Sequence, residues 1–381
     1  MIGFQLTEQQ ELMRRSIRDF MLKASSPQMI QEADEQDQLP EAFLDTMARA
    51  GWFALVVPEA YGGSGAGALD VSLALEAFAQ QWPLVSHIFY SLYFVGADAI
   101  AHFGDESQKK RYLPRIAQGE MRVAMAITES GSGSDAASLT TTASRDGDEW
   151  VLKGEKMFCT GANVSDITMV AARTDAPAPK HKGISLFLVD RDTRGFEIRL
   201  LKKLGFKGLS TTEIFLDDVR VPAGRLLGRL NGGWDHLCQI LARERSCIAA
   251  IYTGGAQRAM EQAITYVKER RQFGQPIAAF QFTKGKIADM QVAIEAGRLL
   301  TYQAAWRVDM GLPSDRESSI AKLFATEAYM RIANQGLQLM GGYGYMMETE
   351  MQRHFRDAKL GEIGGGTSEI QRLVIARCAG L

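Results

Sequence analysis

A carboxylate and a guanidinium stand side by side at Glu244-Arg245, in a stretch that is otherwise apolar at helical spacing. At ~100° per residue, Leu241, Ile248, Tyr252, Gly255 and Ala259 share one stripe of a helix from about Trp234 to Arg270. Glu244 falls about 40° to one side of Ile248 and Arg245 about 60° to the other, while Arg243 points away. A charge on a buried face is costly unless it is paired or used. The pair therefore reads either as an ion pair at a helix or subunit contact, or as a general base beside a cation.

Three further segments have residue types suited to holding a ligand. Ile127-Thr128-Glu129-Ser130-Gly131-Ser132-Gly133-Ser134-Asp135 sets glycines on alternate positions. Such a backbone can approach a ligand closely and aim its N–H groups at an anion, and Thr128, at a strand end, could bond a polar ring edge. The same composition also fits a flexible surface turn. Arg270-Arg271-Gln272-Phe273-Gly274, with Gln281 eleven residues after Arg270, puts a cation and an aromatic at a helix end. That suits an anionic, planar ligand, or a solvated helix terminus. Gly341-Gly342-Tyr343-Gly344 and Gly364-Gly365-Gly366-Thr367-Ser368-Glu369 leave backbone N–H groups unblocked before a helix, with Thr367 near the N-cap. A plain helix-to-helix turn has the same pattern. His87, His102, His181, His236 and His354 show no HxxxH or HxH spacing, so no metal site is expected. The 17 methionines mostly fall at core spacing.

The elements that must position these groups come in three blocks. Thr7 and Gln10 fit a capping box before a helix, and Pro40-Glu41 opens another to about Ala50. Further helical stretches follow at Val71–Gln80, Ser86–Phe103 and Glu106–Ala117. From Val123 the chain turns to strand-length segments: 123–128, 140–143, 150–153, 167–172, 184–189, 196–200 and 212–216. Residues 174–182, with two prolines, read as an exposed hairpin loop, and the strands as a small sandwich or barrel. After Gly232-Gly233 long helices return, at about 234–270, 280–310, 314–340 and 367–378. All-helix, then all-strand, then all-helix gives no βαβ alternation, so a Rossmann fold is poorly supported.

Composition narrows the function. With 43 basic and 45 acidic residues the formal net charge is −2, which offers no general field for nucleic acid or an anionic membrane. Unbroken apolar runs reach about six residues, against the ~20 of a membrane-spanning helix. Met1-Ile2-Gly3-Phe4 has no basic-then-apolar leader pattern. Cys159, Cys238, Cys247 and Cys378 form no CxxC pair and read as free thiols of a reducing, cytoplasmic compartment.

Taken together, these segments resemble the acyl-CoA dehydrogenase family of flavoenzymes. The resemblance covers essentially the whole chain. It rests on Ala126-Ile127-Thr128-Glu129 with Gly133-Ser134-Asp135, Arg270-x-Gln272-Phe273-Gly274, Gln338-x-x-Gly341-Gly342-x-Gly344 and Gly366-Thr367-Ser368-Glu369-Ile370-Gln371. It implies an α+β fold: an N-terminal helical domain over 1–120, a middle β domain over 121–228 and a C-terminal four-helix bundle over 229–381. It also implies bound FAD. The backbone at Met125 and Ile127 and the Thr128 hydroxyl would touch the flavin, Phe158 and Thr160 would cover it, and Gly133 and Ser134 would lie near the pyrophosphate and the acyl carrier arm. Thr367 and Glu369 would close over the adenosine. Arg270, Phe273, Gln281, Gln338 and Gly342 would reach the FAD of a neighbouring subunit, implying at least a dimer and, by family habit, a homotetramer.

The chain departs from the commonest family pattern at the base. Most members carry a catalytic Glu where this chain has Gly365, in Gly364-Gly365-Gly366-Thr367. A minority branch, isovaleryl-CoA dehydrogenase among them, places the base on the preceding helix immediately before an Arg, and Glu244-Arg245 matches it. The resemblance then implies that Glu244 takes the α-proton, that Arg245 keeps it ionised before substrate binds, and that the Gly365 N–H serves the thioester carbonyl. Gly364, Gly365, Gly366, Arg245 and Ser134 would meet the substrate, and the glycines leave room for a short branched or cyclic acyl group. Ala242 stands where relatives often have an Asp for the pantetheine arm. A related reading is therefore an acyl or aminoacyl group, such as prolyl, on a carrier protein. The electron acceptor is an electron-transfer flavoprotein or oxygen. A non-catalytic scaffold that lost its base is the remaining alternative, and Glu244 argues against it.

Overall fold

The computed structural model describes residues 5–381, so the Met1–Phe4 stretch lies outside the described residues. The first block holds α1 (Glu8–Ala24), α2 (Pro27–Gln36), α3 (Glu41–Arg49), α4 (Ala68–Gln81), α5 (Pro83–Phe89), α6 (Val95–Phe103) and α7 (Glu106–Ala117). The capping box is formed: Thr7 accepts from the Gln10 N–H and the Gln10 side chain accepts from the Thr7 N–H. The stretch read as one helix over 86–103 is α5 and α6 joined by a π-helical turn, Tyr90–Phe94. By length and composition Pro83–Phe103 could cross a membrane, with a mean hydropathy of 1.4. Counting unbroken apolar runs missed this. The window is 94% buried, as a core helix is.

The strands are β1 (Val123–Ala126), β2 (Thr142–Asp146), β3 (Glu149–Thr160), β4 (Ile167–Arg173), β5 (Ile184–Asp190), β6 (Phe196–Leu201), β7 (Thr211–Pro222) and β8 (Leu226–Leu227). They form one sheet in the order β6-β7-β3-β2-β4-β5-β8, with β1 parallel to β4. Between β2 and β4 only Thr142 and Arg173 pair. The sheet divides at that point, and the two halves share one core in which the Trp150 and Phe187 rings lie 5.3 Å apart. The expected sandwich is thus a single sheet folded across a thin seam. β3 and β7 run well past the expected 150–153 and 212–216 because they pair along most of their length, through two irregularities.

The last block holds α8 (Gly233–Glu269), a short hairpin of β9 (Arg271–Gln272) and β10 (Gln275–Pro276), then α9 (Gln281–Asp309), α10 (Asp315–Met340), α11 (Gly342–Tyr345), α12 (Met351–Gly361) and α13 (Ser368–Cys378). The long helices α8, α9 and α10 pack together, and α12 and α13 lie on α10. The sequence reading did not include α12.

Helices before and after the β block share one hydrophobic core, while the sheet has its own. The join is made by α8, which is buried on every side from Glu244 to Ala256. The expected single stripe is therefore corrected: Leu241 is half-buried and the burial runs right round the helix. Gly254 and Gly255 permit this. A methyl at Gly254 would overlap the Glu76 carbonyl of α4, and one at Gly255 would sit 2.8 Å from the Tyr329 ring of α10. In an open helix Gly→Ala gains about 0.5–1 kcal/mol. Here overpacking costs about 1–3 kcal/mol, so Gly254→Ala should lower the calorimetric unfolding temperature. A raised temperature would show that α4 and α8 do not meet this closely.

Candidate active site

Glu244 is 1% exposed and Arg245 9%. Burial pushes the Glu244 carboxyl up to about 7 against the downward pull of the Tyr90 hydroxyl, Arg245 and Lys322, with Asp98 adding to the rise. One carboxylate oxygen, Oε2, has no hydrogen-bond partner. Arg245 acts in the expected direction, toward the ionised form, but desolvation is the larger influence. Arg245 reaches Asp315 at 3.8 Å and leaves its Nε unpartnered. Arg243 does not point away: its Nε donates to both Asp98 oxygens, at 3.0 and 2.8 Å, and pins α8 to α6.

The glycine turn lies directly against this carboxylate. Gly365 and Gly366 have φ of +63° and +84°, a left-handed pair that side chains disfavour. A Cβ on Gly365 would stand 3.8 Å from Glu244 Oε1 and 2.5 Å from Ile248 Cδ1. Lys322, wholly buried in α10, donates to the Gly361 and Gly366 carbonyls at 2.6 and 2.7 Å. Gln371 of α13 donates to the Gly365 and Gly366 carbonyls at 3.1 and 3.0 Å. Among the described residues no acceptor takes the Gly365 or Gly366 N–H. Consecutive backbone N–H groups of this kind make an anion-binding concavity. Sequence reasoning missed Lys322 and gave Gln371, although part of a quoted motif, no role. The signal available was a lysine inside the small-residue run Ser318-Ser319-Ile320-Ala321-Lys322 of a helix. Glu362, two residues before the glycine run, is part-buried and paired with Lys359 at 2.5 Å.

The middle domain brings its residues to the same neighbourhood. β1 packs on the π-helical turn whose Tyr90 stands beside Glu244. Met125, Ile127 and Thr128 are half-buried along and just after β1, and Gly133 and Ser134 lie exposed beyond them. Glu129 is the anchor of this turn. Its carboxylate accepts from Lys156 Nζ at 2.7 Å and from the Thr140 and Thr141 N–H groups at 2.6 and 2.9 Å. Burial alone would raise that carboxyl, but Lys156 and the threonine bonds bring it down to about 2. Lys156 Nζ also donates to the Ile127 carbonyl at 3.1 Å, and the Met157 N–H to the Thr128 carbonyl at 2.8 Å. The bulge between Lys156 and Cys159 then turns Phe158 outward, at φ +58° and 65% exposed. An aromatic held at positive φ with an open face is a mark of a ligand clamp. Thr160 follows, half-buried, at the end of β3. Asp135 pairs with Lys180 of the 174–182 loop at 2.8 Å.

Arg270, Phe273, Gln281, Gln338 and Gly342 form a second, separate group. All are exposed, Phe273 by 92%. Arg270 stacks over the Tyr343 ring beside a groove of about 610 Å³. Glu244 and Arg270 sit on one helix, and a rise of ~1.5 Å per residue puts them roughly 39 Å apart. One chain therefore does not bring the two groups together. Thr367 caps α13 by accepting from the Ile370 N–H at 3.3 Å, and Glu369 is exposed in its first turn.

Comparison with known proteins decides the family. The family models described as acyl-CoA dehydrogenase N-terminal, middle and C-terminal domain match residues 7–120, 124–219 and 231–380. The chain belongs to the acyl-CoA dehydrogenase family. It is similar to a probable acyl-CoA dehydrogenase of Bacillus subtilis (strain 168), 39% identical over 99% of each chain. It matches the structure of butyryl-CoA dehydrogenase from Megasphaera elsdenii at a TM-score of 0.96, with 33% identity and all of both chains covered. A prolyl acyl carrier protein oxidase aligns at 0.94, with 29% identity over 99% of this chain and 100% of that one. As a member, this acyl-CoA dehydrogenase family protein is an FAD-dependent oxidoreductase. Its residues fit the cofactor. Gly131, Gly133, Gly341 and Gly342 have open space where side chains would be, and Phe158 and Phe273 present free aromatic faces.

Removing one partner of a buried ion pair typically costs about 3–5 kcal/mol. Lys156→Met should therefore lower the unfolding temperature by several degrees and release FAD from the loosened 127–135 turn, read as free flavin on gel filtration. Unchanged stability and full FAD content would show that the pair does not hold the turn.

Proposed function

We propose that this protein dehydrogenates an acyl thioester between its α- and β-carbons, with Glu244 as the base and the Gly365 N–H as the carbonyl donor. The observation that supports the reading is the 3.8 Å approach of the Gly365 position to Glu244 Oε1. A hydrogen bond from the Gly365 N–H to the thioester oxygen stabilises the charge that develops there and makes the α-proton acidic. Glu244 takes that proton, and its raised pKa suits proton transfer near neutral pH. Bound FAD supplies the acceptor for the hydride from the β-carbon, and the double bond forms as both leave. Arg245, with its unpartnered Nε, faces the acyl group together with Gly364 and Gly366.

In this reading Met125, Ile127, Thr128, Gly133, Ser134, Phe158, Thr160, Thr367 and Glu369 hold FAD from one subunit. Arg270, Phe273, Gln281, Gln338 and Gly342 hold it from a neighbour. The separation along α8 favours a dimer at least, and we propose a homotetramer. Ser134 lies toward the acyl carrier arm. The acyl group is short and branched or cyclic. A side chain at Gly364 would make only ordinary contact with Leu360, whereas Ile248 fills the place of a side chain at Gly365. The carrier is coenzyme A and the acceptor an electron-transfer flavoprotein, in line with the names of relatives. Half-buried Ala242 favours a second reading, a carrier-protein thioester with oxygen as an alternative acceptor.

The purified protein should be yellow and bleach anaerobically with short branched acyl-CoAs faster than with long straight ones. Its bleaching rate should rise with pH through about 7, because Glu244 acts only when deprotonated. Glu244→Gln should keep the flavin spectrum and bind thioester but bleach about 10²- to 10⁴-fold more slowly. Adding Gly365→Glu should restore activity only with Ile248→Ala to clear its path. Wild-type bleaching by Glu244→Gln would move the base elsewhere, with Glu362 the next candidate. Bleaching by a prolyl carrier protein alone would favour the second reading.

A further inference from the structure

A lysine with no solvent exposure costs free energy unless its charge is used, and the reaction as proposed leaves Lys322 without a part. We propose that Lys322 is a positioning residue of the thioester site: its ammonium holds the glycine turn so that the Gly365 N–H meets the substrate carbonyl beside Glu244. The inference rests on the roles of Glu244 and Gly365 proposed above.

The geometry is that of a clamp. The Gly361 and Gly366 carbonyls, one at the end of α12 and the other just before α13, converge on one Nζ at 2.6 and 2.7 Å. These are short, charge-assisted bonds. Gln371 holds the Gly365 and Gly366 carbonyls from α13, and the Gly364 N–H donates to the Leu360 carbonyl at 2.8 Å. The peptide that carries the Gly365 N–H is thus fixed on both flanks while its own donor stays free. The groups that hold the turn come from α10, α12 and α13, and on the α8 side the Gly365 position faces Ile248 and the Glu244 carboxylate.

The charges around this centre are few. Arg245 and Glu244 on α8, Glu362 after α12 and Glu327 on α10 itself act on Lys322, whose own pKa burial lowers to about 8. Tyr90, Arg245, Lys322 and Asp98 act on Glu244. The ammonium favours the carboxylate form, so removing it raises the Glu244 pKa and moves the onset of proton abstraction to higher pH. A lysine that merely tied α10 to α12 and α13 would leave that onset unmoved.

The test compares wild-type, Lys322→Met, Gln371→Leu and Glu244→Gln holoenzymes. Hydrogen–deuterium exchange of the 361–368 peptide is followed by mass spectrometry without substrate. Anaerobic bleaching by isovaleryl-CoA, or by butyryl-CoA where that is faster, is followed against pH. Lys322→Met should exchange about tenfold faster or more across 361–368. Its bleaching midpoint should shift upward by roughly one pH unit. Gln371→Leu should speed exchange and leave the midpoint in place. Unchanged exchange, or faster exchange with an unmoved midpoint, in Lys322→Met would overturn the proposal. Where Lys322→Met gives no holoenzyme, Lys322→Gln, which keeps a donor without the charge, takes over the pH arm. An unmoved midpoint there overturns the proposal as well. Glu244→Gln separates the two readings: full bleaching by that variant refutes the base itself, whereas its inactivity beside an unmoved Lys322 midpoint refutes only the clamp.

Discussion

A carboxylate pressed against a turn of two left-handed glycines is the constraint on which the rest of this structure depends. Glu244 sits inside a helix buried on all sides, with one oxygen unpartnered. Such a group is destabilising on its own. It persists because α4, α6 and α10 pack around α8, with Gly254 and Gly255 letting two helices come close. Burial that would be a defect elsewhere sets the carboxyl near neutrality here, which is the condition for a base working at ordinary pH.

The same helix explains why the site is divided. α8 carries Glu244 about three turns in from its start and ends at the C-cap Arg270, too far away for both to serve one ligand in one chain. The middle domain contributes its own rigid piece. The buried Glu129–Lys156 pair fixes the 127–135 turn, and the β3 bulge turns Phe158 outward. Each half of the site is therefore built on regular elements rather than on loops alone, as precise positioning requires.

Much of this was legible from residue types and spacing. The helix–strand–helix order, the Thr7 capping box and the four glycine-rich or charged segments all lie where periodicity and turn chemistry put them. Glu244 beside Gly365 was reached through resemblance, and the geometry places the two in contact distance. What escaped has physical causes. The strand expected over 150–153 stops before Gly154, whereas β3 continues through Lys156, which is buried and paired with Glu129. Lys322 is not singled out by its sequence pattern, because its acceptors are backbone carbonyls. The π-helical turn at Tyr90–Phe94 has no signature in hydrophobic spacing, and Arg243 seemed outward only while α6 was not there to receive it.

The most direct measurement is a crystal structure of the holoenzyme with an unreactive thioether analogue of a short branched acyl-CoA. The account expects a Glu244 oxygen within about 3.5 Å of the atom in the α-position. It also expects the analogue's carbonyl oxygen to accept from the Gly365 N–H at about 2.9 Å. A complex in which another carboxylate, such as Glu362, faces that atom, with Glu244 turned away from the acyl group, would contradict it.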